Sequence, residues 1–363
     1  MTTTVPYLVV GSGLTGAVIA RHLIDAGHEV LMLERRSHLG GNVHDFVHPS
    51  GIRVHTYGPH YFRTNNESIW NFVTQFASFY SYEAELASYV DGRYEHWPVT
   101  SEYIDRTVGP HWQPSFSGQP ANFEQACLAM MPEPVYRKFV KGYTEKQWGV
   151  PAQSLSADLA GRFDVRSGTD HRLKTYPHQG IPRGGYAAFM ERMLDGVKVE
   201  LGCDYLQVRD RIDVTRATVY TGPIDELFGY DLGRLAYRGQ RREHRYLPDR
   251  AVHQPYGQVN NPDPDGGEHI RTLEWKHMME PEYDRAGPGT VVTTEVPYSP
   301  GEPDHFEYPF PDARNAELYA RYRDRVRAIP GLVVCGRLGE YRYYDMDQAI
   351  GRANVVARRI LGS

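Results

Sequence analysis

Residues 7–34 read YLVVGSGLTGAVIARHLIDAGHEVLMLE. The apolar run Tyr7–Val10 predicts a strand. Gly11, Gly13 and Gly16 follow in GxGxxG spacing. Ala17, Val18, Ile19, Leu23 and Ile24 predict a helix with a buried side, ended by Gly27. Val30–Leu33 predict a second strand closing on Glu34. Strand, tight turn, helix, strand and acidic residue together form the dinucleotide-binding fingerprint. Gly11 permits the turn, Gly13 lets the backbone approach a pyrophosphate, and Gly16 lets the helix pack on the strands. Leu14 and Thr15 open the helix, whose first N–H groups are free for phosphate oxygens. Glu34 is suited to a ribose 2′-OH and repels a 2′-phosphate, which argues against NADP and leaves NAD or FAD.

Outward from this stretch, Arg35 is followed closely by Gly40, Gly41 and Asn42, a second glycine turn of the flavoprotein kind. Residues 52–62 alternate apolar and polar positions and end in a Gly-Pro-His turn. That turn holds His60, read either as a packing histidine or as a cofactor or substrate contact. Residues 67–80 predict a helix, and residues 86–97 a hairpin about Asp91-Gly92. From about 100 to 175 the pattern is helical and broken by prolines. Phe139 and Tyr143, four apart, either pack in a core or hold a base by stacking. The mixed charges of 158–175 read as solvated surface. Residues 197–200 and 217–220 predict strands, 230–310 a second and mostly antiparallel sheet, 312–329 a helix, 332–334 a late strand, and 345–360 a last helix. That helix would bring its positive N-terminus to the cofactor.

The whole chain limits the choice of function. With 363 residues and a formal charge of −5, it has room for two or three domains and no overall attraction to nucleic acid. No apolar run reaches the roughly 20 residues of a membrane span. The first strand begins without a signal segment, so a cytoplasmic location is expected. Cys127, Cys203 and Cys335 are far apart, without CxxC, and give neither a disulfide framework nor a metal site. The 26 tyrosines suit a polar cleft, where a ring stacks and its hydroxyl bonds.

In order along the chain stand LVVGSGLTGAVIARHL, HLGGN, YGPHYFRTN, KGYTEKQWG, QGIPRGGY, YTGPID, RTLEWKH and GRLGEYRYYDM. In these stretches the sequence resembles the bacterial UDP-galactopyranose mutases over nearly its full length. The resemblance implies an α/β fold: a Rossmann-like FAD-binding domain (1–85, 180–228 and 315–363), an inserted helical substrate and lid domain (100–178), and an antiparallel β-sheet domain (86–99 and 229–314). It implies FAD that is active when reduced, a reductant to keep it so, a nucleotide-diphosphate sugar as substrate, and a homodimer. In the family's reaction flavin N5 attacks the anomeric carbon and the diphosphate leaves. The opened flavin–iminium adduct then permits pyranose–furanose exchange.

Residue by residue, the resemblance assigns Arg166 and Arg271 to the diphosphate, where paired guanidinium groups meet the charge of the leaving group. His60 matches the histidine beside the flavin ring, and Asp345 a carboxylate close to flavin and sugar. Phe139, Tyr143, Thr144 and Trp148 match the base pocket, and Tyr308 and Tyr343 the phosphate-contacting tyrosines. Gly41, Asn42, Arg35, Arg337, Tyr344 and Met346 fall in the cofactor-binding turns. His178 stands in the expected substrate region where a tyrosine is frequent. Other departures are His96-Trp97-Pro98-Val99, Ser167-Gly168-Thr169-Asp170-His171 and Asn261-Pro262-Asp263. They are read as lineage drift or as the mark of another substrate, such as a GDP- or dTDP-linked or deoxyhexose donor. An FAD-dependent oxidoreductase and a noncatalytic FAD-binding protein are the readings from other classes.

Overall fold

The computed structural model describes residues 2–168 and 170–362. Thr169, within one of the departing stretches, and the side chain of Arg162 lie outside the described residues.

The opening stretch forms β1 (Thr3–Val10), α1 (Leu14–Asp25) and β2 (Val30–Glu34). These strands sit inside a five-stranded sheet with the order Lys198–Leu201, β2, β1, Ile212–Tyr220, Leu332–Val334, every pair parallel. Such strands read as continuous apolar runs because both faces are covered. Tyr7, Val9, Val30 and Met32 join the main core under α1, whereas Leu8, Leu31 and Leu33 join a smaller cluster on the opposite face. Between Val5 and Tyr7 the register with the neighbouring strand slips, at Pro6, which has no N–H for the ladder. The last helix, Met346–Leu361, packs along α1 with Ile350, Ala353, Val356 and Ala357 buried.

The second sheet has seven strands in the order Tyr308–Pro309, Tyr237–Leu247, Thr290–Tyr298, Arg271–Glu274, Gln258–Asn260, Leu86–Val90, Arg93–Trp97. It is antiparallel except where Gln258–Asn260 runs parallel to Leu86–Val90. The hairpin turns at Asp91 and Gly92, both at positive φ, as a two-residue turn requires. A third, three-stranded sheet joins Phe62–Thr64, His178–Pro182 and Phe79–Ser81.

Two expectations are corrected. The helix expected over 67–80 is Glu67–Val73 only, since the Thr74 hydroxyl returns to the Trp70 carbonyl and the chain leaves for the strand Phe79–Ser81. The helical run expected to 175 stops near 162; Val165–Arg166 is a short strand beside Val99–Thr100, and the chain then runs on to the strand at His178. No stripe of apolar residues at helical spacing exists there to be buried. The helices before it enclose a separate core of Tyr103, Phe123, Cys127, Tyr136, Phe139 and Trp148.

Among the described residues no helix is long and apolar enough to cross a membrane, and no three His, Cys, Asp or Glu stand together as a metal site.

Candidate active site

Two clefts meet. The first runs over the carboxyl ends of β1 and β2. Gly11 has φ +97°, and a Cβ there would lie 2.2 Å from the Thr221 hydroxyl. Gly13 forms a bridge with Gly40, and a Cβ on Gly41 would stand 3.0 Å from the Gly13 Cα. The second glycine turn therefore lets two backbones touch beneath the groove. Gly336, at φ +86°, closes the third side against Thr15. Three chain regions thus present bare backbone to one groove, a cradle that side chains would fill and an extended dinucleotide fits. Leu14, Thr15, Arg35, Asn42, Arg337, Tyr344 and Met346 line it as expected. Gly16 does not; it is buried where a Cβ would fall 2.0 Å from the Gly11 carbonyl oxygen.

Glu34 ends β2 with its carboxylate already engaged. One oxygen accepts from the Ser12 amide and hydroxyl, both at 2.8 Å, and the other from the Arg36 amide at 2.9 Å. One acceptor position is left for a ribose hydroxyl. Arg35 forks onto Glu226 at 3.1 and 2.9 Å, with Asp204 and Asp304 each at 3.8 Å. Glu34, Glu226, Asp204 and Asp304 make this end acidic, which disfavours a 2′-phosphate. Glu226, Asp204 and Asp304 escaped the sequence reading because they come from short helical turns far away in the chain; only YTGPID, just before Glu226, pointed toward the place.

The second cleft lies between the large sheet and the helical region. Asn42, His60, Arg337 and Met346 line both clefts and mark where the two join. His60 Nδ1 is 2.7 Å from the Gly58 carbonyl oxygen, and its amide donates to His55 Nδ1 at 2.9 Å. A carbonyl only accepts, so His60 carries its proton on Nδ1 and leaves Nε2 as an acceptor. Burial, then the neighbouring His55 and Arg337, push His60 down to about 3. His55 is likewise held at about 3, by burial and then by Arg53.

A stability prediction follows from His55, which is buried against Trp275 and Tyr186. Unfolded, it takes up a proton below about pH 6.5; folded, it stays neutral down to about 3. Its share of stability is complete above the unfolded value and falls as pH drops through that window, by up to about 1.4 kcal/mol per pH unit. Urea unfolding between about pH 7.5 and 5 should show this slope, flattened in His55→Asn.

Arg271 enters the cleft from a buried ionic chain. Its Nε donates to Glu295, which also accepts from Arg242 Nε at 2.7 Å, and Arg242 forks onto Glu307 at 2.8 and 2.8 Å. Glu295 is fully buried; Arg271 and Arg242 hold its carboxyl below the usual range against the opposing effect of burial. Gly58, at φ +90°, lies so close that a Cβ would be 2.7 Å from Glu295. The loop carrying His60 is thereby seated on the ionic chain. The Tyr143 hydroxyl is a hydrogen-bond partner of Arg271, and Tyr308 also faces it. Tyr308 and Tyr343 stack at 6.0 Å with Arg337 over both rings. Asp345 caps the last helix in a capping box, accepts from the Tyr343 hydroxyl at 3.1 Å and lies 3.6 Å from Arg63.

Phe139, Tyr143, Thr144 and Trp148 all line this cleft. Phe139 packs in the helical core against Tyr103, as the packing reading has it, and also lines the cleft. The chain takes a π turn over Arg137–Lys141, so the four-residue spacing is not that of a regular α-helix. The Thr144 hydroxyl is buried without a partner, an open position for a ligand. Gly142 allows this helix to touch the Asn261–Pro264 loop, since a Cβ would be 2.2 Å from the Pro262 carbonyl oxygen.

Two expected residues are elsewhere. Arg166 donates to Asp164 at 2.9 Å and to the Leu173 carbonyl at 3.2 Å and does not line the cleft. His178 stacks on Trp70 at 5.0 Å and meets Glu67 at 2.7 Å, away from the cleft, because its strand pairs with Phe62–Thr64. Missed were Arg242, Glu295 and Glu307, and the ladder in which Tyr61 donates to Gln258 and Gln258 to Asn260. Alternate polar residues on a buried strand, Gln258 and Asn260, were the available signal.

Such a molecule, with a glycine-cradled groove opening into a second cleft at its reactive end, is a nucleotide-cofactor enzyme of the Rossmann class. Residues 9–76 match the family model described as an NAD(P)-binding Rossmann-like domain, and residues 138–343 the one described as UDP-galactopyranose mutase. The Klebsiella pneumoniae protein named "Probable UDP-galactopyranose mutase" is 32% identical, covering 98% of this chain and 94% of its own. The Escherichia coli "dTDP-fucopyranose mutase" is 30% identical, covering 95% and 96%. The chain belongs to the UDP-galactopyranose mutase family. Its fold is shared with a crystal structure of reduced UDP-galactopyranose mutase at a TM-score of 0.76, 15% identity and coverage of 99% and 96%.

Proposed function

We propose that this protein is an isomerase interconverting UDP-galactopyranose and UDP-galactofuranose with reduced FAD in the glycine-cradled groove. The observation that carries the reading is the junction at His60, Arg337 and Met346, reached from one side by the groove and from the other by Arg271. The acidic ribose end and the second glycine turn fit FAD. The same reading includes a cellular reductant, a homodimer and a cytoplasmic location.

Reduced FAD supplies a nucleophilic N5 for the anomeric carbon. The chain's own residues do the rest. Arg271, Tyr143, Tyr308 and Tyr343 hold the diphosphate and meet its charge as it departs. His60, neutral with its proton on Nδ1, would offer Nε2 at the junction as an acceptor for a hydrogen bond from a donor on the bound cofactor. Phe139 and Trp148 enclose the base, and the open Thr144 hydroxyl bonds its edge. Asp345, engaged as a helix cap, fixes the start of the helix beside the junction. Arg166 completes the clamp by exchanging Asp164 and the Leu173 carbonyl for a phosphate oxygen.

A substrate panel tests this. Dithionite-reduced, FAD-loaded enzyme is given UDP-galactofuranose, then dTDP-, GDP- and deoxy-sugar pairs, with products separated by chromatography. UDP-galactopyranose is the expected product. The nearly equal identity to the dTDP-fucopyranose mutase favours a second reading, a dTDP-linked deoxyhexose. Preference for that pair would replace the substrate and keep the chemistry. Peroxide formed with an amine, and no furanose conversion, would overturn the mutase reading in favour of an oxidoreductase.

A further inference from the structure

The segment that carries Arg166 is fastened to the Leu86–Trp97 hairpin by a pair of histidines. The imidazoles of His96 and His171 lie face to face, with centroids 3.6 Å apart and planes 5° from parallel. Both Nδ1 atoms are buried without a hydrogen-bond partner. Both residues stand in stretches that depart from the family pattern. The contact sits between two anchor points of the segment. On one side Val165 and Arg166 pair with Val99 and Thr100, just beyond His96. On the other, the Leu173 amide donates to the Ala84 carbonyl at 2.7 Å. The Leu173 carbonyl is also the group that accepts from Arg166 at 3.2 Å. What seats His171 therefore seats the residue that holds Arg166.

We propose that His96 and His171 are positioning residues whose neutral stack seats the Arg166 segment beside the substrate cleft, and that protonation of the pair unseats it. The proposal rests on Arg166 acting as a diphosphate clamp. Two imidazolium rings at this separation repel, and their buried nitrogens have no acceptor to receive the added protons. Burial is the largest influence on His96 and, with the facing His171, works against its charge. The carboxylates around it work the other way without reversing the direction: Glu95 on its own strand, Glu85 before the paired strand, and Glu102 on the helix Ser101–Thr107. Glu95 is itself paired with Arg106 at 2.8 Å. Tyr256 meets the His96 ring edge-on at 5.8 Å. From the segment, the Arg172 side chain is bound to Asp170 and Glu83, and its backbone forms an isolated antiparallel β-bridge with Glu85. Arg172 keeps its charge throughout, so it still tethers the segment after the rings part, and the movement stays local.

The test uses the double variant His96→Phe/His171→Phe, which keeps two aromatic rings and removes both imidazoles. Hydrogen exchange of residues 163–174 is measured on the full-length protein between about pH 8 and 5, corrected for intrinsic exchange rates. Steady-state kcat and KM for UDP-galactofuranose are measured over the same range. In the parent, protection is expected to fall by about tenfold on acidification, with KM rising in parallel and kcat changing less. In the double variant both should vary by less than about twofold. An acid-induced loss of protection that persists in the double variant overturns the proposal, as does a parent whose protection is flat with pH. Should the double variant not fold, His96→Gln/His171→Gln, which likewise carries no titrating ring, serves in its place. A parent that turns over no nucleotide sugar would overturn the clamp reading, while the exchange data would still report on the stack.

Discussion

Arg271→Ala is expected to lower kcat by at least about 10²–10³-fold while the protein keeps its cofactor. Arg271, Arg242, Glu295 and Glu307 form a chain of two positive and two negative groups. Glu295 is fully buried, and Arg242 is already shared with Glu307. Deleting Arg271 leaves a net negative charge in the wall of the cleft. A diphosphate then meets repulsion where it had met a guanidinium, so the loss exceeds that of a missing contact. The deletion also strips a buried carboxylate of one of its two ion-pair partners, which should cost about 3–5 kcal/mol of stability. Arg271→Lys restores the charge without the fork and should recover part of the stability and less of the rate. Because Arg271 does not line the dinucleotide groove, flavin absorbance per chain should match the parent. Turnover within about fivefold of the parent would remove Arg271 from the reaction.

Gly16→Ala should abolish cofactor retention and destabilise the fold by about 3 kcal/mol or more, although Gly16 touches no part of the groove. The added methyl would stand 2.0 Å from the Gly11 carbonyl oxygen and 3.2 Å from a Val9 methyl. Gly11 cannot withdraw, because its α-carbon already faces the Thr221 hydroxyl, which is bonded to the Val10 carbonyl at 2.8 Å. The helix must therefore lift from β1, carrying with it the N–H groups of Leu14 and Thr15 that a pyrophosphate needs. Gly27→Ala is the control: its φ is +82° but nothing lies within 4 Å of the added carbon, so only backbone strain of about 1 kcal/mol is expected and the cofactor should remain. Flavin absorbance after gel filtration and urea midpoints separate the two.

Much of the architecture is written in local pattern. The run from Tyr7 to Glu34 is legible because a continuous apolar run, a 3.6-residue period and a second apolar run are encoded within 28 residues. Asp312 and Asp345 announce their helices because an N-cap needs an acceptor there. The helix over 67–80 was overextended because Phe76 and Tyr80 keep an apolar spacing that a strand also buries. For the site, Phe139, Tyr143, Thr144 and Trp148 were legible because one helical stretch carries them all to one cleft. Arg166 and His178 were not placed by sequence, because the stretch from Phe163 to His178 has no periodic face to orient it and takes its course from partners elsewhere, Val99, Ala84 and Thr64.

By itself the sequence determined the parallel sheet, its glycine cradle and the family, since each depends on residue types at short, fixed spacing. The tertiary structure alone decided that Glu34 accepts from Ser12 and so holds the Gly11–Gly13 turn. It alone decided that Arg271 is held by Glu295 and that Asp345 is a helix cap. Hydrogen bonds and ion pairs of this kind join residues whose separation in the chain carries no periodicity, so only the folded chain brings the donor to the acceptor.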